Sequence, residues 1–166
     1  SQDTYGLYLM GIHNTGGSAL RFSIQQSNGA WANVQSTIDV SDNNWHHVAV
    51  TRNNQTGLFK MYIDGEYVGD NEDEADGEST SADLAGSLNL VAPFLIGSWN
   101  TAGRGAYSGL IDESMIWNEE LSLTEINSYM HSSPNGSESI LIGYWNFNTG
   151  DNDVVLNLHY DGSEIL

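Results

Sequence analysis

The stretch His46-His-Val-Ala-Val-Thr-Arg52, Asn53-Asn-Gln-Thr-Gly57, Leu58-Phe-Lys-Met-Tyr-Ile63, Asp64-Gly65, Glu66-Tyr-Val68 decides the fold class. Apolar and polar residues alternate in its two longer runs, and a period of two belongs to half-buried strands. Asp64-Gly65 between such runs predicts a two-residue hairpin, because a type I′ turn needs positive φ at both central positions. Asn53 to Gly57 reads as a longer loop closed by a glycine. Trp45 and Val48 are expected to open a buried strand. His46 and His47 are then neighbours in that strand and point to opposite faces, so they cannot chelate one ion together.

Upstream, Tyr5 to Ile12 reads as a strand, and Ala19 to Gln25 alternates Leu20, Phe22 and Ile24 against Arg21, Ser23 and Gln25. Trp31 to Val40 is the next strand. Downstream, residues 69 to 86 form an acidic loop rich in small residues, after which strands resume at Ser87 to Val91 and Phe94 to Gly97. Tyr107 to Trp117 reads as the longest strand, with Gly109 letting it bend or meet another backbone closely. Ser122 and Glu125 make a capping box for one helix near residues 122 to 131, with Leu123, Ile126 and Met130 on one face. Ser132-Ser-Pro-Asn-Gly136 links it to strands at Ile140 to Phe147 and Val154 to Leu158. Many short strands with one short helix predict an all-β sandwich.

The 166 residues are enough for one domain with a sizeable core. Four basic residues (Arg21, Arg52, Lys60, Arg104) face 22 acidic ones, for a net charge of −18. Such a field repels nucleic acid and anionic membrane surfaces, whose recognition needs clustered Lys or Arg. It also suits a solvated surface in a salty exterior and attracts divalent cations. There is no Cys, which excludes disulfides, thiolate metal sites and Cys nucleophiles. No apolar run approaches the ~20 residues of a membrane-spanning helix. The chain opens at Ser1-Gln2-Asp3 with no visible signal peptide and reads as a processed or excised piece.

Three stretches together resemble the laminin-G-like, pentraxin-related jelly rolls of the concanavalin-A-like lectin/glucanase group. They are Asn44-Trp-His-His-Val-Ala-Val-Thr51 with Lys60-Met-Tyr-Ile-Asp-Gly-Glu66; Phe94-Leu-Ile-Gly97 with Tyr107-Ser-Gly-Leu-Ile-Asp-Glu-Ser-Met-Ile-Trp-Asn118; and Leu121-Ser-Leu-Thr-Glu-Ile126. The resemblance implies a two-sheet antiparallel jelly-roll sandwich with one short helix. It places a laminin-G-like unit, lacking the family's first strands, at residues 1–131, a linker at 132–139, and terminal strands at 140–166. Those terminal strands complete either this sandwich or a neighbour's.

The resemblance also implies that Asp112, at an Ile-Asp-Glu position, is a ligand of a structural Ca²⁺. The acidic loop from Asp70 to Asp83 departs from the spacing of a calcium loop and reads as a solvated surface. Trp99, Trp31 and Tyr107 lie in or beside loops and are the candidate ligand contacts, because amphipathic rings are favoured at binding surfaces. Trp45, Trp117 and Trp145 sit among apolar strand residues and read as core. A glycosidase of this fold needs two carboxylates on one strand face, whereas neighbours such as Asp112 and Glu113 face opposite ways in a strand. The expected function is a secreted or cell-surface, non-catalytic binding or adhesion module. It is lectin-like, takes a glycan or an extracellular protein, and is stabilised by calcium. The alternative is a structural subunit of an extracellular assembly or filament that self-associates through its sheet edges by strand exchange.

Overall fold

A computed structural model describes residues 8–13, 19–25, 31–71, 96–97 and 107–148, with the backbone alone described for 8–13, Gln25 and Trp31. The chain divides into two compact units, Ser1–Ala92 and Pro93–Leu166. In the first unit, β1 (Tyr8–His13), β2 (Ala19–Gln25) and β3 (Trp31–Asp39) form an antiparallel sheet in the order β1-β2-β3. A second antiparallel meander follows: β4 (Val48–Arg52), β5 (Phe59–Ile63) and β6 (Glu66–Asp70).

The two sheets pack face to face, with β3 lying against β5 and β6. The period-two pattern places Leu20 and Ile24 of β2, Ala32 and Val34 of β3, and Phe59, Met61 and Ile63 of β5 in one buried cluster. Phe22 meets Phe59 edge to face, with ring centroids 5.3 Å apart. Burial of each large side chain stabilises the unit by about 1.5–3 kcal/mol. Where the β2–β3 register shifts, Ser36 takes over the ladder: its Oγ accepts from the Leu20 N–H at 3.1 Å and donates to the Ile38 carbonyl at 2.8 Å. Beyond β6, Asn71 does the same for β5, accepting the Phe59 N–H on Oδ1 at 2.9 Å.

The Asp64-Gly65 hairpin forms as expected. Their φ angles are 52° and 80°, and the flanking Ile63 and Glu66 pair directly. Two other expectations in this unit need correction. The strand containing Val48 begins at that residue, so His46 and His47 precede it rather than sit back to back within it. Trp45 is 64% exposed and belongs to the loop before β4, not to the core. Trp31 opens β3, where the strand expected from Trp31 to Val40 places it, and its side chain lies outside the described residues.

In the second unit, β7 (Ser114–Trp117) pairs antiparallel with β8 (Leu141–Trp145), and α1 (Leu123–His131) connects them. The helix starts where the capping box places it: the Glu125 N–H reaches Ser122 Oγ, and Glu125 Oε2 takes the Ser122 N–H at 2.7 Å. Ile126 is its buried anchor, while Leu123, expected on the same face, is 45% exposed. Tyr129 stacks at a tilt on Trp117, with centroids 4.6 Å apart. Gly143 of β8 is buried beneath the Trp145 indole, which a Cβ there would approach to 2.6 Å.

The long strand expected from Tyr107 to Trp117 is shorter than its pattern. Residues 107–113 lie outside any strand, and pairing begins at Ser114 because Glu113 takes a left-handed φ of 51°. Gly109 is close to the Tyr107 ring, not to another backbone: a Cβ there would come within 2.6 Å of the Tyr107 hydroxyl. Ile96 and Gly97 form a bend, and the strand expected at 94–97 otherwise lies outside the described residues, as do those at 87–91 and 154–158.

Candidate functional site

The loop between β3 and β4 is built from short polar side chains that turn the backbone on itself. Asp39 Oδ1 accepts the Ser41 N–H at 2.8 Å, and Asp42 accepts from the Asn44 backbone at 2.9 Å and from the Asn44 amide at 2.7 Å. Asn43, between them, adopts a φ of 67°, a conformation Asn tolerates better than most residues. These Asx turns hold the loop that carries Trp45.

A second layer ties this loop to the hairpin between β5 and β6. His46 Nδ1 lies 2.8 Å from Asp64 Oδ2, and His46 Nε2 lies 3.0 Å from Asp42 Oδ1. The other Asp64 oxygen accepts the His47 N–H at 2.9 Å, and the Asp64 N–H returns to the His47 carbonyl at 2.8 Å. The His46 side chain is only 16% exposed, whereas the indole beside it stands in solvent.

Charge distribution follows this geometry. The Asn44 side-chain and backbone hydrogen bonds, followed by that of His46, hold the Asp42 carboxyl down at about 2. Burial alone would raise Asp64, but hydrogen bonds from His46 and the His47 backbone lower it overall. The Asp64 and Asp42 hydrogen bonds raise His46 above its ordinary 6.5. Carboxylates occupy both ring nitrogens of His46, so neither faces an open position for a metal or a substrate. No group of three or more His, Asp or Glu side chains among the described residues is arranged to hold a metal ion.

In the second unit, Glu113 occupies the polar centre. Its Oε2 accepts the Tyr144 hydroxyl from β8 and the Ser133 hydroxyl, the latter at 2.8 Å, beyond the helix. Burial, then the Glu113 hydrogen bond, pushes the Tyr144 phenol up. Asp112 is exposed, and its Oδ1 accepts the Glu113 N–H at 2.9 Å. Both residues precede β7, so the alternation of a strand does not govern their directions. Tyr107 is 48% exposed, and its N–H donates to the Gly97 carbonyl at 2.7 Å. Trp99 lies outside the described residues.

The residue that sequence reasoning missed is Trp45. The available signal was Asp42-Asn43-Asn44 immediately before it, a loop composition that places the indole outside the strand.

No curated protein matches the chain. A solved S-layer domain-containing protein (residues 221–444) from Clostridium thermocellum is 19% identical, covers 77% of this chain with a TM-score of 0.34, and is itself covered over 63% of its length. The Laminin_G_3 profile, described as the concanavalin A-like lectin/glucanases superfamily, matches residues 1–127. The matched span contains both three-stranded sheets, the hairpin, β7 and the start of α1. The chain therefore belongs to the Laminin_G_3 family of concanavalin A-like β-sandwich jelly rolls.

Proposed function

We propose that this protein is a non-catalytic, extracellular binding module that takes a glycan on the Trp45 loop. The carrying observation is the indole itself. It is 64% exposed, in a family of lectin-like sandwiches, on a loop fixed by Asp39, Asp42 and His46. A rigid, exposed ring supplies a flat apolar face for a sugar at little ordering cost, while neighbouring carboxylates and amides accept and donate hydrogen bonds to hydroxyls. The net charge of −18 favours neutral glycans over sulfated or uronate-rich ones.

Tyr107, exposed in the second unit, is proposed as a ligand contact of that unit in its own right, and Trp31 and Trp99 are proposed as contacts from their sequence context. The non-catalytic reading draws support from Glu113, whose carboxylate is turned toward Tyr144 and Ser133. Calcium at Asp112, with secretion or cell-surface display, completes the proposal on the strength of the family. The strand-exchange alternative draws no support from β8, which pairs with β7 of its own chain.

A glycan array probed with wild type and Trp45→Ala, in calcium and in EDTA, tests the proposal. Capture of neutral glycans that disappears in Trp45→Ala is expected. Glycan capture unaffected by that substitution, or capture of extracellular proteins alone, overturns it.

A further inference from the structure

His46 stands between two carboxylates, and that arrangement constrains its protonation. A carboxylate oxygen only accepts, so each ring nitrogen must donate for both contacts to be hydrogen bonds. Neutral imidazole carries one N–H and can satisfy one partner alone. Its second nitrogen would then turn a lone pair on an acceptor 2.8 or 3.0 Å away. The imidazolium form fits both.

The two carboxylates belong to different elements. Asp42 lies in the same loop as His46, and Asp64 opens the β5–β6 turn, so a charged His46 fastens loop to hairpin. We propose that His46 is a pH-dependent latch that holds the Trp45 loop against the β5–β6 hairpin when protonated and loosens it when neutral, thereby regulating the proposed ligand-binding surface. The last clause rests on the binding role of Trp45; the latch itself does not.

The charged groups bearing on the ring are Asp64 from the hairpin and Asp42 from the loop, while His47 bears on Asp64. The raised pKa of His46 sets the basic side. Its contribution to the folded state is complete below the ordinary 6.5 and disappears as pH rises through the raised value. The acid side is set by Asp42, whose contribution is complete above 3.8 and disappears as pH falls through about 2. The latch is thus closed in mildly acidic solution and opens toward alkaline pH.

The test uses the full chain without ligand. Proton and nitrogen NMR follows the His46 ring and the exchange of the His47 amide, which donates to Asp64, with each exchange rate corrected for the intrinsic effect of pH. The expected result is a doubly protonated His46 ring at pH 6 and an about tenfold loss of His47 protection by pH 9. His46→Gln, which keeps a polar side chain without the charge, should show the low protection at both pH values. Asp42→Asn, an exposed change that leaves the hairpin arm intact, should show a smaller pH dependence and keeps the test decisive if His46→Gln folds poorly. A singly protonated ring at pH 6, or equal protection at pH 6 and 9 in wild type, overturns the latch. Retained glycan capture in Trp45→Ala together with pH-dependent His47 protection overturns the binding role and leaves the latch standing.

Discussion

The two units of the chain solve the same problem with different materials. Residues 1–92 stack two three-stranded sheets over an aliphatic and aromatic cluster in which Ile24, Phe59 and Met61 are wholly buried. Among the described residues of 93–166, two strands and a helix surround Ile126, Leu141 and Tyr144, supplemented by stacked rings and a carboxylate that receives two hydroxyls. A wide sheet pair supplies enough facing positions for apolar packing to set register. The short β7–β8 ladder offers fewer, and directional contacts take over part of that work. Substitutions in the first unit should therefore act through cavities, and those in the second through lost hydrogen bonds.

The largest effect is expected at Phe59. Its ring is fully buried and packs edge to face on Phe22, so Phe59→Ala should cost about 3–5 kcal/mol in denaturant unfolding. Phe59→Leu, which retains most of the volume, should cost clearly less. A cost below about 1 kcal/mol for the alanine change would mean that the sheet interface collapses freely to fill the space.

Glu113 comes next. Glu113→Ala removes the charged acceptor shared by the Tyr144 and Ser133 hydroxyls, and a hydrogen bond to a charged group contributes about 1.5–3 kcal/mol. Introducing the same change into Tyr144→Phe should cost less, since one of the two donors to the carboxylate is already gone. Additive costs would show that the carboxylate acts through something other than the phenol. Ser122→Ala should follow at about 1 kcal/mol, the usual cost of losing a helix N-cap. An unchanged helix content and stability would show that the contacts of Ile126 alone suffice to hold α1.

Much of this contrast was legible in the sequence where the determinants are local. Asp64-Gly65 names its own turn, Leu20 and Ile24 announce their face by alternation, and Ser122 with Glu125 marks the start of the helix. Local pattern failed where a partner had to decide. Leu110 and Ile111 look like strand residues, yet they lie outside the ladder and Leu110 is 75% exposed. Trp45 reads as core from the apolar residues after it, while Asx turns before it hold it in the loop. The His46–Asp64 contact joins residues 18 apart, and it exists only once the hairpin has folded back to the loop. Of the ligand contacts expected from sequence, Tyr107 is exposed as anticipated, whereas the indole of Trp31 and all of Trp99 lie outside the described residues.

The smallest stability effect should come from Trp45, and that smallness is what makes it informative. An aromatic ring that belonged to the core would cost several kcal/mol on truncation, as Phe59 should. Trp45 is 64% exposed, so Trp45→Ala should shift unfolding by no more than about 0.5 kcal/mol in either direction. The backbone of the loop does not depend on the indole either. Asn44 is bonded to Asp42, and the His47 N–H to Asp64, through groups the substitution leaves in place. Hydrogen exchange at the Asn44 and His47 amides should therefore remain as in wild type. An indole that contributes little to folding keeps its flat face open, which is what the glycan contact proposed for it requires. A loss of more than about 2 kcal/mol, or accelerated exchange at both amides, would instead make Trp45 a packing residue and remove the main support for glycan binding on this loop.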